Sequence, residues 1–190
     1  MEDIRDAIGW TIANAGEVLA QSTGVQADFD NVFLMSHSAG SCHTSTLLLQ
    51  PSLLPAHLRA RICGIILQGG VYTFKRDESA SPDTPLLQLY ESWDAVEENM
   101  PTTLLQRAPA NVLETFPDVI IFVSEREIDG FAEDSHLLAA NLEKKLGRSV
   151  PVVVMKNHNH LSPHWALWTG AGEEWAEDVT RWIKERAASV

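Results

Sequence analysis

The fold of this protein is decided by one stretch of its sequence, VFLMSHSAG at positions 32–40. Its first four residues form an apolar run that is too short for a helix and typical of a buried strand. The next five residues follow the pattern small-x-Ser-x-Gly, and a helical stretch through Leu47–Leu49 comes directly after them. Strand, sharp turn and helix, with a serine at the apex of the turn, is the layout of a nucleophile elbow. The sequence therefore predicts Ser38 as a nucleophile.

The elbow also needs small residues two positions before and two positions after its serine, where the strand and helix backbones pass closely. These positions hold Ser36 and Gly40, so a serine replaces the usual glycine at the first of them. Ser38 would lie near the positive end of the following helix. The amide of Ala39 is then expected to be one donor to an oxyanion.

The rest of the chain alternates between apolar runs and helical patterns. Three further runs, at 62–67, 119–123 and 150–155, are expected to be strands. Helices are expected around Ile4–Ile12, after the elbow, over Leu137–Leu146 and over Trp175–Arg186. Such alternation indicates a single α/β domain over 1–190, with a mostly parallel sheet of about four strands flanked by helices. Residues 75–109, rich in Asp, Glu, Ser and Pro, are expected to form an excursion over the sheet edge.

A serine nucleophile needs a base and an orienting acid, which follow it in the order serine, acid, histidine in folds with this elbow. The third expected strand is followed by SEREID at 124–129, where an acid is required. The fourth is followed by NHNHLS at 157–162, where a histidine is required. Both requirements are therefore met in the right order.

Three segments, VFLMSHSAGSCHTSTLLL, GIILQGGVYTF and NHNHLSP, resemble the carboxylesterase branch of the α/β-hydrolase fold. The resemblance covers nearly the whole chain and is strongest to small esterases related to kynurenine formamidase and isoprenylcysteine methylesterase. It implies an α/β-hydrolase fold and a serine hydrolase that needs no metal or organic cofactor.

The resemblance also assigns the acid and the base. In these esterases the acid lies in a pattern like G-E-x-D, followed on a helix by S-x-x-x-A, and SERE with SHLLA keeps that spacing here. The acid is then Glu127, with Asp129 as the alternative. The histidine lies in a pattern like N-H-x-S, which makes His160 the base and His158 the alternative.

Other histidines and tryptophans have simpler interpretations. His158 and His160 could form a metal-binding pair, but no third ligand stands at an obvious spacing, so no metal is predicted. His37 and His43 are expected to line a pocket or to pack. A helical stripe of tryptophans is expected to belong to the core, with one of its first two near enough to His160 to line an acyl pocket: Trp165, Trp168, Trp175 and Trp182.

Composition excludes several classes of function. The chain has 190 residues with 14 basic and 26 acidic side chains, a net charge of -12, which disfavours nucleic acid and anionic membrane surfaces as partners. No segment has the roughly 18 apolar residues of a transmembrane helix, and the first residues lack the order of a signal peptide. With only two cysteines, a cytoplasmic location is expected.

The sequence departs from the α/β-hydrolase pattern before the elbow. The second oxyanion donor normally comes from a glycine-rich loop after an earlier strand, and no such loop precedes Ser38. We therefore expect a truncated α/β-hydrolase whose elbow strand is an exposed sheet edge, which invites pairing. Three explanations are open: a fragment of a longer esterase, a short form whose edge is covered in a homodimer, or an inactive binding module.

The expected activity is hydrolysis of small or short-acyl carboxylic esters through an acyl-enzyme. The alternatives are formamidase or amidase activity, or a weak or inactive module that acts through association.

Overall fold

The protein folds into a four-stranded parallel sheet flanked by helices. The computed structural model describes residues 2–20, 24, 28, 30–74, 76–77, 79, 81 and 84–188. The strands are β1 (Val32–His37), β2 (Ile62–Gln68), β3 (Asp118–Arg126) and β4 (Val152–Asn159). They lie in the order β1-β2-β3-β4, and every neighbouring pair is parallel. The predicted α/β architecture with about four strands is confirmed.

The strands end further along the chain than the apolar runs indicate. β3 continues to Arg126 and β4 to Asn159, because the two strands keep pairing past a register shift between Ser124 and Arg126. Apolar residues alone mark the buried middle of a strand, whereas these ends are polar and, apart from Ser124 and His158, exposed. The extra residues matter for function because they bring the residues after both strands to the same sheet edge.

Ten helices surround the sheet in the described part of the chain. They are α1 (Glu2–Leu19), α2 (Ala39–Leu49), α3 (Ala56–Arg59), α4 (Pro85–Tyr90), α5 (Trp93–Asn99), α6 (Pro101–Arg107), α7 (Ala110–Glu114), α8 (Phe131–Leu146), α9 (Ser162–Ala166) and α10 (Glu174–Ala187). The four predicted helices correspond to α1, α2, α8 and α10.

Two apolar layers hold the helices on the sheet. One layer packs α1, α2 and α8 against one face, with Leu47, Ile65 and Leu138 at its centre. The other packs α10 against the opposite face, where Phe122 and Trp182 are buried and Trp182 meets the partly buried Phe33 of β1 edge to face. Since both faces of β2 and β3 are covered, these strands are continuously apolar rather than alternating.

Helix α8 is defined at both ends by its sequence. Glu133 and Asp134 lie in its first turn and Lys144 and Lys145 in its last turn, which matches the helix dipole at each end. Gly147 ends it with a left-handed backbone, φ 66°. The helix is thereby fixed between β3 and β4, with its first residue beside the carboxyl end of the sheet.

The expected tryptophan stripe is wrong in its first half. Trp175 and Trp182 are buried on α10, but Trp165 and Trp168 are 74% and 96% exposed. The helical spacing does not run through one helix, because α9 ends at Ala166 and a turn separates it from α10. Only the half that lies on α10 therefore belongs to the core.

The segment expected as an excursion contains α4, α5 and α6, and α6 contacts both α2 and α8. Five of its residues, Lys75 among them, lie outside the described residues, and the excursion and the single-domain boundary stay predictions. Over the ranges that the structure describes, no helix has the length and apolar character needed to cross a bilayer.

Candidate active site

The three predicted catalytic residues occupy equivalent places in the fold. Ser38 is the first residue after β1, Glu127 the first after β3 and His160 the first after β4. The carboxyl ends of parallel strands meet at one edge of the sheet, so residues in this position converge although they are far apart in sequence. The structure brings all three into hydrogen-bond contact.

The contacts form a chain from carboxylate to hydroxyl. Nδ1 of His160 lies 2.6 Å from Oε1 of Glu127, and its Nε2 lies 2.9 Å from Oγ of Ser38. An ionised carboxylate can only accept, so Nδ1 carries the hydrogen of the neutral imidazole and Nε2 is left to accept from the Ser38 hydroxyl. This is the tautomer that a general base needs in order to take the serine proton.

Glu127 is fixed by its own backbone neighbours. Its Oε2 accepts from the amide of Ser124 at 3.2 Å, and its Oε1 accepts from the amide of Ile128 at 2.9 Å. The side chain is only 4% exposed, so water does not compete for these bonds. The alternative acid, Asp129, is exposed and makes no such contact with His160. The structure pairs the histidine with Glu127.

The alternative base is occupied elsewhere. His158 is buried, its Nε2–H donates to the carbonyl of Gly172 at 2.8 Å, and its Nδ1 accepts from Oγ of Ser162 at 3.0 Å. Both ring nitrogens therefore hold the loop after β4 together rather than reach Ser38. Within the described ranges, no group of three His, Cys, Asp or Glu side chains is placed to hold a metal ion.

The turn at Ser38 has the strained backbone of an elbow. Its φ of 55° and ψ of -126° are rare for a residue with a side chain. Two hydrogen bonds hold it there: the amide of Ser38 donates to the carbonyl of Gln68 at 2.9 Å, and the amide of Ser41 donates to the carbonyl of Ser38 at 2.9 Å. The strain directs the hydroxyl away from the strand and toward His160.

The small residues around the elbow explain why serine is tolerated at position 36. A Cβ placed on Gly40 would lie 3.7 Å from Cβ of Ser36, an ordinary contact distance. Oγ of Ser41 donates to the carbonyl of Ser36 at 3.0 Å and ties the strand to the helix. Ala39 begins α2, so its amide has no acceptor within the helix and remains a candidate oxyanion donor.

Gly69 is a site residue that the sequence analysis missed, since it gives the glycines of GIILQGGVYTF no role of their own. Its φ is +47°, and a Cβ at this position would lie 2.8 Å from Oε2 of Glu127 and 3.1 Å from Nδ1 of His160. The acid and the histidine can meet only because no side chain stands there. A glycine at the carboxyl end of the strand beside the elbow strand was the available signal.

Aromatic rings enclose the imidazole of His160. Phe131 meets it edge to face, with ring centroids 5.6 Å apart, and the ring of His37 lies 4.5 Å away. The ring of His164 in turn lies 4.5 Å from the ring of His37. Burial lowers the pKa of His164, and the nearby imidazoles of His37 and His160 lower it further. This histidine therefore stays neutral near pH 7.

A cavity of about 570 Å³ opens beside Phe131. Its walls combine apolar and acidic side chains with two small or polar residues: Val71, Thr73, Phe74, Asp129, Gly130, Phe131, Glu133, Asp134 and Leu137. The carboxylate of Asp134 is engaged by the backbone, because it accepts from the amides of Tyr72 and Thr73. Asp129, the alternative acid of the sequence analysis, therefore lies on a cavity wall next to the site.

Solved structures of esterases share this fold. A truncated carbohydrate esterase from gut microbiota superposes with a TM-score of 0.64 at 14% identity, over 98% of this chain and 68% of its own. The thermostable carboxylesterase EstE1 from a metagenomic library gives 0.60 at 15%, over 96% and 62%. Carboxyl esterase 2 of Tuber melanosporum gives 0.56 at 16%, over 95% and 60%.

At these identities the likeness establishes the fold, which is the α/β-hydrolase fold. The chain spans 60–68% of the length of these three structures. No family model matches the sequence, and no curated protein matches it.

Proposed function

We propose that this protein is a serine hydrolase of carboxylic esters. The observation that supports this most is the pair of hydrogen bonds on His160, 2.6 Å to Glu127 and 2.9 Å to Ser38. Nucleophile, base and orienting acid are in contact in the order that acyl transfer requires. The esterases that share the fold make an ester the first substrate class to test.

The proposed reaction starts at Ser38. Its Oγ attacks the acyl carbonyl carbon while its proton passes to Nε2 of His160, and Glu127 stabilises the resulting imidazolium. The negative oxygen of the tetrahedral intermediate is stabilised by the amide of Ala39. His160 then returns the proton to the alcohol as the C–O bond breaks. Water activated by the same histidine hydrolyses the acyl-enzyme and regenerates the serine.

The cavity beside Phe131 supports a preference for small or short-acyl groups. Its volume of about 570 Å³ is at the lower part of the range for small-molecule sites, and its apolar walls include Val71, Phe74 and Leu137. The finer likeness to small esterases related to kynurenine formamidase and isoprenylcysteine methylesterase belongs to the same proposal.

The proposal is tested by turnover of p-nitrophenyl acetate, butyrate and octanoate, with a formanilide as the amide substrate. Wild type should hydrolyse the two short esters faster than the octanoate, and Ser38→Ala should lose activity by on the order of 10³-fold or more. Ser149→Ala, an exposed serine near the end of α8, serves as the matched control. Equal rates for wild type and Ser38→Ala would reject the enzyme. A faster formanilide reaction would move the proposal to a formamidase.

The remaining expectations stay predictions. They are a cytoplasmic location, chemistry without a cofactor, and a small-molecule ester rather than nucleic acid or a membrane as the partner.

A further inference from the structure

The elbow strand contacts the catalytic histidine at two points, and only one of them is the nucleophile. Ser38 meets the side chain of His160, while the preceding residue, His37, meets its backbone: Nε2 of His37 lies 2.8 Å from the carbonyl oxygen of His160. A carbonyl oxygen can only accept, so Nε2 of His37 carries a hydrogen and donates it. His37, the last residue of β1, and Ser38, the residue after it, thus bond the backbone and the side chain of His160 respectively.

We propose that His37 is a positioning residue, which sets the distance between His160 and Ser38 by holding the backbone of His160 against β1. The inference rests on the proposed serine hydrolase activity and adds a residue to that site. It differs from the expectation that His37 merely packs or lines a pocket.

The loop after β4 explains why such a bond is needed. Its other described bonds hold it to itself or to β3: Oδ1 of Asn159 accepts from the amides of Leu161 and Ser162, and Oγ of Ser124 donates to the carbonyl of Asn159. These bonds place His160 relative to Glu127, which follows β3. The distance from His160 to Ser38 depends on a link across to β1, because β2 and β3 lie between β1 and β4.

The ring of His37 supports the same geometry. It lies against the imidazole of His160 at 4.5 Å with a tilt of 38°, which restricts rotation of that imidazole. On its other side the ring of His164 meets it at 4.5 Å, and His164 in turn contacts buried Trp175 at 5.9 Å. The donor nitrogen of His37 is therefore held in place by a stack that ends in the core beneath α10.

The stack also suits the chemistry at His160. His164 stays neutral near pH 7, because burial and the neighbouring imidazoles lower its pKa. Its ring supports His37 without adding a positive charge beside His160, where an imidazolium forms during acyl transfer.

Two variants separate the hydrogen bond from the ring. His37→Phe keeps an aromatic ring but cannot donate, whereas His37→Gln keeps an amide N–H donor and loses the ring. With p-nitrophenyl acetate, kcat of His37→Phe should fall by about 10- to 100-fold, since misplacing a catalytic group by about 1 Å can cost on the order of 10²-fold. KM should change by about twofold or less. His37→Gln should keep kcat within about threefold of wild type.

His57→Phe, at an exposed position of α3 and remote from the site, is the matched control and should behave as wild type. Thermal unfolding of each variant shows whether it is folded. If wild type is active and folded His37→Phe matches it in kcat, or if His37→Gln is as impaired as His37→Phe, the proposal is wrong. If wild type has no activity at all, the proposed function fails instead.

The bond itself can be measured in the wild-type protein, which removes any dependence on a variant that fails to fold. Nitrogen-15 NMR of the histidine rings distinguishes a protonated Nε2 from a protonated Nδ1, and the signal missing from His37→Gln identifies His37. A hydrogen on Nε2 of His37 is expected. An Nε2 without a hydrogen would overturn the proposal whether or not the protein hydrolyses esters.

Discussion

The carboxyl end of the sheet and the free edge of β1 differ in how many of their polar groups are hydrogen-bonded within the described chain. At the carboxyl end, the side chains of Glu127, His160 and Ser38 are joined by hydrogen bonds, and the carboxylate of Glu127 also accepts from a backbone amide. These three residues are called the triad below. At the edge, β1 pairs with β2 alone among the described strands. The amides of Val32 and Ser38 donate toward β2, so the alternate amides of β1 point to the open side.

The difference separates two requirements of the proposed chemistry. Nucleophilic attack and proton transfer use residues that follow β1, β3 and β4, all of which the chain supplies. Stabilisation of the oxyanion uses the amide of Ala39 and a second donor, which in the elbow architecture comes from a loop after an earlier strand. The described residues therefore supply the whole of the first requirement and one donor of the second.

The largest loss of kcat should come from a change in the acid of the triad. Glu127→Gln removes the charge that stabilises the imidazolium and allows the wrong tautomer of His160, so kcat should fall by on the order of 10³–10⁴-fold. Asp129→Asn, on the cavity wall, should stay within about twofold on p-nitrophenyl acetate. If the two variants show the reverse order, the assignment of the acid is wrong.

Gly69→Ala should disrupt the triad by a steric clash and without a change of charge. The new Cβ would stand 2.8 Å from Oε2 of Glu127 and 3.1 Å from Nδ1 of His160, so the bond between them must lengthen. We expect kcat to fall by about 10- to 100-fold. Gly147→Ala shares the positive φ but has no atom within 4 Å of the new Cβ, and it should lose stability without losing kcat. Equal kcat losses in both variants would show that backbone strain, rather than the contact, is responsible.

The sequence could predict Ser38 from a local pattern, a strand followed by the elbow motif. Local pattern placed an acid after the third strand and a histidine after the fourth, and the resemblance chose Glu127 over Asp129 and His160 over His158. Gly69 and His37 depend instead on which strands are neighbours and in what register, which no local pattern contains. The exposed Trp165 and Trp168 show the converse, since a regular spacing predicted burial where the helix ends between the two halves of the stripe. The residues of the triad were thus easier to predict than Gly69 and His37, which make room for them or hold them in place.

The open edge predicts association of two copies through β1. Antiparallel pairing of two such edges would satisfy the outward backbone groups of both chains and cover Met35, which is 45% exposed. Light scattering should then give a mass near twice 21.0 kDa. Met35→Lys should restore the monomer, while Val154→Lys, equally exposed on β4 at the opposite edge, should not. A monomeric wild type would rule out the dimer.

The smallest effect expected is on the free energy of unfolding at acid pH, and it comes from His164, whose ring contacts that of His37. Its pKa is lowered from the ordinary 6.5 in the folded protein, so below that value the unfolded chain binds a proton that the folded chain does not. The free energy of unfolding therefore falls as the pH drops from about 6.5 toward the lower folded pKa. Urea unfolding at about pH 7 and pH 5 should show a smaller fall for His164→Phe than for wild type. Identical falls would show that His164 does not contribute.

The central claim, that Ser38 is an activated nucleophile, is tested most directly by mapping the site of phosphonylation. The protein is treated with a fluorophosphonate at neutral pH, digested, and its peptides are analysed by mass spectrometry. The modification should appear on the peptide that contains Ser38 in wild type and be absent from Ser38→Ala. An unmodified wild type, or a modification on another serine that persists in Ser38→Ala, would contradict the account.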